Sequence, residues 1–180
     1  MFKYLVRTFV SIVFFLGSVF TSYAANSFYL FIDGIQGESK AVRGAIDIEN
    51  FSFRITNPSA FSTTGTRIGK ASFSSIQLGK TLDKTSPTLF LKLAQGASVK
   101  KVIIKCFNSL GDRSFEFYSI TLENVFISSV TQSANLTNPV AENIDLEFGR
   151  ISWTYNVQNI DGSKGETVTN GWDVTENKAF

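Results

Sequence analysis

Asp145 and Glu147, two residues apart in an apolar-patterned stretch, are the side chains best spaced for chemistry, together with Asp47 and Glu49. On a strand that spacing puts both members of a pair on one face, and paired carboxylates are the machinery of glycoside hydrolysis. Carboxylates alternating with apolar residues are, however, the ordinary signature of the water-facing side of a strand, and that is how both pairs read here. The remaining inventory is thin. The chain has no histidine, which removes the commonest general base, the Ser/His and Cys/His pairs and most zinc sites. Cys106 is the only cysteine, so neither a thiolate metal cluster nor an intrachain disulfide can form; within Val102 to Phe107 it reads as a small buried apolar group. No glycine-rich loop leads into a Lys-Ser/Thr pair that would hold phosphate. The turn Asp161-Gly162-Ser163-Lys164-Gly165 lacks the acidic series of a calcium loop. No cofactor is expected, and a carboxylate-dependent hydrolase is the weakest of the function classes considered.

The first residues form a separate unit. Lys3 and Arg7 begin it, Thr8 to Phe20 is an almost uncharged apolar run, and Ser22-Tyr23-Ala24 offers small residues where a signal peptidase reads. This predicts a leader over residues 1–24, cleaved after Ala24, and a secreted or periplasmic product that meets the membrane only during export. The run is shorter than the roughly 20 residues a spanning helix needs. Removing Lys3 and Arg7 from the 17 basic side chains leaves 15, against 15 acidic ones, so net charge falls to zero. The basic excess that marks nucleic-acid binding is then missing, and no nucleic-acid partner is expected. Lys100-Lys101, flanked by Val99 and Val102, reads as the solvated face of a strand.

Residues 25–180 read as a single domain without repeats or low-complexity linkers. Strands are expected over Phe28 to Ile32, Ala45 to Ile55, Ala71 to Leu78, Val99 to Phe107, Ser114 to Leu122, Glu123 to Thr131, Ile144 to Val157 and Val168 to Val174. Asn108 to Asp112 is the expected hairpin turn. One helix is predicted, from Pro87 to about Gln95, with Ser86 as its cap, Leu89, Phe90 and Leu93 on one face and Gly96 as its stop. Thr56 to Gly69, with Pro58, two glycines and many hydroxyls, reads as a long loop. In the strand from Ile144, the apolar residues change parity between Phe148 and Ile151, which predicts a β-bulge at Gly149. The sum is a mainly β fold: a small antiparallel β-barrel or tight two-sheet structure with one flanking helix.

Four segments in order, Asp33-Gly34-Ile35-Gln36-Gly37-Glu38-Ser39, Asp83-Lys84-Thr85-Ser86-Pro87, Trp153-Thr154-Tyr155 and Gly171-Trp172-Asp173, make the chain resemble the Hcp proteins of type VI secretion systems. The resemblance spans almost everything after residue 27. It implies a tail-tube-like barrel and a structural subunit: homo-hexameric rings that stack into a tube and meet effectors or a spike protein. It also implies that the long loop bears on the neighbouring ring, with Phe61 as its apolar knob and Arg67 as its polar anchor. The Trp-x-Tyr strand is then core or barrel wall, and Trp172 packs at a subunit edge. A leader is foreign to the family pattern, because tube subunits assemble in the cytoplasm. The alternative is therefore an exported Hcp-like binding or effector module that never joins a tube. Zero net charge is compatible with stacking, since like-charged rings would repel at low salt.

Overall fold

The computed structural model describes residues 25–62, 65–110 and 113–180. Among them thirteen strands and one helix follow in order. The strands are β1 (Ala25–Ile32), β2 (Ile46–Ile48), β3 (Asn50–Ser52), β4 (Ile55–Thr56), β5 (Ser59–Ser62), β6 (Gly65–Ile68), β7 (Ser72–Phe73) and β8 (Ile76–Thr81), then helix α1 (Ser86–Gln95), then β9 (Val99–Leu110), β10 (Arg113–Ser133), β11 (Ala141–Gln158), β12 (Lys164–Asp173) and β13 (Lys178–Ala179). The expected segments Ser114 to Leu122 and Glu123 to Thr131 are one continuous strand, β10.

A nine-stranded antiparallel sheet runs β13-β12-β11-β10-β9-β1-β2, with β3 on β8 and β8 on β11. Because β2 and β3 are separated by Glu49 alone, whose N–H donates to Gly79 at 2.8 Å, the circuit β1–β2/β3–β8–β11–β10–β9 returns to β1. The sheet therefore closes into a barrel. Its interior holds Leu30, Ile46, Ile76, Leu78, Ile104, Ile120, Leu122, Ile144, Leu146 and Ile151, all essentially without solvent exposure. Each buried aliphatic side chain of this size stabilises by about 1.5–3 kcal/mol, and no covalent link reinforces them.

The parity change expected in β11 is present, but the bulge is not where the sequence placed it. Phe148 pairs with Val125 and Ile151 with Leu122 in unbroken register, so no residue is skipped at Gly149. Instead the adjacent strands change parity along the same line: Val99 to Val102 in β9, Leu122 to Val125 in β10, Phe148 to Ile151 in β11. A bulge is required only when one strand flips and its partner does not. Here the sheet is creased across three strands, and Asn124, opposite Gly149, turns into the left-handed region with φ 54°. The slips that do occur in β10 lie elsewhere, between Ile127 and Ser129 against β11 and between Glu116 and Tyr118 against β9.

Helix α1 packs against β10 through Leu89, which is fully buried, and Leu93. Gly96 ends it as expected, at φ 59°, with its N–H on Leu93 and that of Ala97 on Lys92. Its start differs: Thr85 holds the cap position without a side-chain cap bond, and the Ser86 hydroxyl is drawn inward instead.

Asn tolerates the left-handed region better than any β-branched residue, whose Cβ clashes with the following carbonyl. Asn124→Val should destabilise by about 1–2 kcal/mol in urea unfolding, whereas Asn124→Gly should be close to neutral. Equal midpoints for both variants would show that the crease does not need that backbone.

Candidate assembly surfaces and the buried charged centre

The carboxylate pairs singled out by spacing do not form a site. Asp47, Glu49 and Glu147 are exposed and Asp145 is half-exposed, in line with a solvated face, and the Glu49 carboxylate accepts from the Thr81 hydroxyl at 2.7 Å. Among the described residues no three metal-ligating side chains converge. Cys106 is buried, and burial, then the neighbouring Glu116 charge, pushes its thiol up to about 11. That keeps it protonated and inert.

The charges that matter were not singled out by spacing. Lys80 and Glu142 face each other across β8 and β11 and point into the barrel, both about 1% exposed. The Lys80 ammonium has three donors and three acceptors: Glu142 Oε2 at 2.8 Å, Asp83 Oδ1 at 3.0 Å and Ser86 Oγ at 3.1 Å. Ser86 Oγ in turn donates to Glu142 Oε2 at 2.7 Å, and Gln132 donates to Oε1 at 3.0 Å. Ser86 does not cap because Thr85 holds that position and Ser86 is already the first helical residue; its hydroxyl also accepts the Asp83 N–H at 3.3 Å. Asp83 accepts from the Thr85 N–H at 2.8 Å and its hydroxyl at 2.5 Å. Burial alone would raise the Asp83 carboxyl; the Thr85 and Lys80 bonds outweigh it and hold it below its ordinary value. The network ties the start of α1 to two barrel strands. Its signal was available in the sequence, since Lys80 continues the parity of Ile76 and Leu78, and Glu142 that of Ile144 and Leu146.

The segment expected as a loop is a hairpin arm. Ser74 and Arg54 close its root, with the Ser74 N–H on the Arg54 carbonyl at 2.9 Å and the Arg54 N–H on Ser74 Oγ at 2.8 Å. The ladder β4–β7 follows, then the Gly69 N–H on the Pro58 carbonyl at 2.7 Å, then the ladder β5–β6. A Cβ at Gly69 would lie 2.5 Å from the Pro58 carbonyl oxygen, so only glycine allows this approach. Both ladders are separate from the barrel sheet, and at about 3.3 Å per residue the arm reaches on the order of 25 Å from its root. Phe73 fixes the root: its ring stacks on Trp153 at 6.4 Å and meets Phe148 edge-on at 6.2 Å. Phe61 pairs with Thr66 and Arg67 with Ala60 in the outer ladder; the side chains of Phe61 and Arg67 lie outside the described residues, as does Ala24.

Trp172 is half-buried against the core, opposite Ile151 on β11 and Ala179 on β13. Beside it a row of alternating charges crosses the strands along the crease: Lys101, Glu123, Arg150, Asp173. Arg150 bonds Glu123 at 3.2 Å, lies 3.4 Å from Asp173 and sits 3.9 Å over the Phe180 ring. Beyond the crease the inward parity of β11 and β12 runs out of barrel to cover it, so Tyr155, Val157 and Val168 are 50, 38 and 46% exposed.

A closed antiparallel barrel with a side helix, a rooted hairpin arm and an uncovered apolar extension is the build of a structural subunit. The family model for the type VI secretion system effector Hcp matches residues 29–155, and the chain belongs to that family. It is a type VI-type structural protein, not an enzyme. It is 28% identical over 110 residues to protein hcp1 of Pseudomonas aeruginosa, covering 60% of this chain and 68% of the relative. Among solved structures, one of a type six secretion system protein superposes with a TM-score of 0.80 at 24% identity, covering 87% of this chain and all (100%) of that one. Hcp1 from Salmonella typhimurium gives 0.71 at 24% identity, covering 87% of this chain and 99% of that one.

Removing one partner of a buried ion pair leaves the other charge uncompensated, at a cost of about 3–5 kcal/mol. Lys80→Met should destabilise by that order in urea unfolding, and Lys80→Met with Glu142→Leu by less. A folded value held low contributes stability above the ordinary carboxylate range, which is lost as pH falls through the folded value. Stability should therefore drop on acidification in a manner that Asp83→Asn flattens; an unchanged pH profile in that variant would remove Asp83 from the account.

Proposed function

We propose that the chain assembles into hexameric rings that stack head to tail into a tube, after export and removal of residues 1–24 behind Ala24. The supporting observation is the Arg54–Ser74 arm. Among the described residues its strands pair only with each other, it stands apart from the barrel sheet, and aromatic contacts hold its root to the crease. A segment ordered in this way, without a place in its own barrel, suits a contact with a second molecule. Phe61 and Arg67 are its contact residues toward the next ring, and the neighbourhood of Trp172 forms a subunit edge. Effectors or a spike protein are the further partners of such a tube, and the product is secreted or periplasmic.

The leader favours a second reading. Export as an unfolded chain would precede any cytoplasmic ring, so the protein could instead act outside as an Hcp-like binding or effector module. Size-exclusion chromatography with light scattering on residues 25–180 separates the two: ring-sized particles for the first, a uniform monomer for the second. Electron microscopy should then show that Phe61→Asp leaves rings intact and shortens or abolishes stacked tubes. Tubes of unchanged length would overturn the role of the arm.

A further inference from the structure

We infer that the outward face of the sheet beyond the crease binds a neutral, extended glycan chain, with one end of the chain seated in the pocket at the turn after β1. The site lies within one molecule and does not depend on whether copies assemble.

The pocket has a volume of about 240 Å³ and is walled by Phe31, Asp33, Gln36, Lys101 and Ile103. The Asp33 N–H donates to the Lys101 carbonyl at 3.0 Å, which fixes the turn, while the Asp33 and Gln36 side chains stand exposed at the rim. Among the described residues neither the Asp33 carboxylate nor the Gln36 amide is engaged in a hydrogen bond. The Phe31 ring is backed by the Lys105 ammonium, 5.8 Å from its centroid and bonded to Glu116 at 2.8 Å. A carboxylate, an amide and an ammonium beside an aromatic wall match the two sides of a sugar. The C–H face of the ring packs on the aromatic, and the hydroxyls donate to and accept from the polar groups.

The pocket opens onto a straight row across the sheet. Phe31, Ile103, Thr121, Ser152 and Gly171 stand opposite one another on β1, β9, β10, β11 and β12. The row beside it carries Lys105, Ser119, Thr154 and Thr169, with the last two hydroxyls 3.0 Å apart. Ile120, Leu122 and Ile151 take the opposite face and fill the core, so these hydroxyls point to solvent. On the other flank runs the row Lys101, Glu123, Arg150, Asp173, whose signs alternate and whose Arg150 is paired on both sides. The Phe180 ring closes the far end, seated where Gly171 has no side chain; a Cβ there would lie 2.6 Å from the ring. The row spans four strand spacings of about 4.8 Å each, room for several linked sugar rings. A hydroxyl floor between two aromatic ends, beside a wall of alternating charge, favours a ligand that is neutral and itself rich in hydroxyls. A polyanion or polycation would meet like charges along that wall as often as opposite ones. β9, β10 and β11 are paired on both edges, so an extended peptide finds no strand to join here. A straight floor suits the ribbon of a β-1,4-linked glycan better than the coil of an α-1,4-linked one.

Cellohexaose and maltohexaose are the probes, titrated into the purified protein by calorimetry, with amide NMR shifts locating the bound chain. Cellohexaose should bind about tenfold more tightly than maltohexaose and move the amides of Gly34, Gln36, Thr121 and Ser152. Phe31→Ala should weaken binding about tenfold by removing the aromatic wall. Asp33→Ala, at an exposed turn outside the core, should do the same through lost hydrogen bonds and leave the unfolding midpoint unchanged. Thr121→Val with Ser152→Ala should weaken the hexasaccharide while sparing cellobiose, which the pocket alone can hold. Absence of cellohexaose binding at millimolar concentration overturns the proposal, as does equal affinity for the two hexasaccharides. Binding that survives unchanged in both Phe31→Ala and Asp33→Ala, or shifts confined to other faces, overturns the site.

Discussion

The crease that runs across β9, β10 and β11 is the constraint on which the remaining structure depends. A closed sheet needs corners, and a strand can turn one either by a bulge, which breaks its register, or by a shared change of parity, which does not. Here the shared change is used. Before the crease, β11 offers its outer edge to β8 and completes the barrel; beyond it, the same edge is taken by β12. One line of residues thus decides which strands enclose the core and which extend past it.

Two consequences follow from that division. Inside the barrel the apolar side chains are covered on all sides, and Lys80, the one buried cation among the described residues, has an acceptor for each of its donors. Outside it, the sheet continues with its inward face partly uncovered, and the arm is rooted on the crease through Phe73, Phe148 and Trp153. The covered part and the uncovered part of the molecule are therefore the same sheet on two sides of one corner.

The sequence made the barrel strands legible because each alternates over a buried face: Leu30 and Ile32, Ile76 and Leu78, Ile144 and Leu146 keep a period of two. It also made the parity change in β11 visible, but not its mechanism. Whether Gly149 bulges or creases depends on what β10 does opposite, and that pairing is a long-range fact. The arm reads as a loop in the sequence for a physical reason. Its ladders lie outside the barrel sheet and the inner one has only two residues per strand, too short for an alternation to show, and Pro58 sits between them where its carbonyl accepts the Gly69 N–H. Capping is a local rule and points to Ser86, whereas Thr85 takes the cap position and the Ser86 hydroxyl answers to Lys80 and to Glu142, 56 residues away.

Backbone hydrogen exchange gives the most direct test of the sheet as a surface completed by its neighbour. In the isolated chain the outward N–H groups of Lys164–Asn170 and of Ala25 to Ser27 have no strand partner among the described residues and should exchange fast. If the molecule works by shape in the way described, the amides of the uncovered edges and of the arm gain strong protection in the assembled particle, while the barrel interior is unchanged. An assembled particle in which both edges still exchange as fast as in the monomer contradicts it.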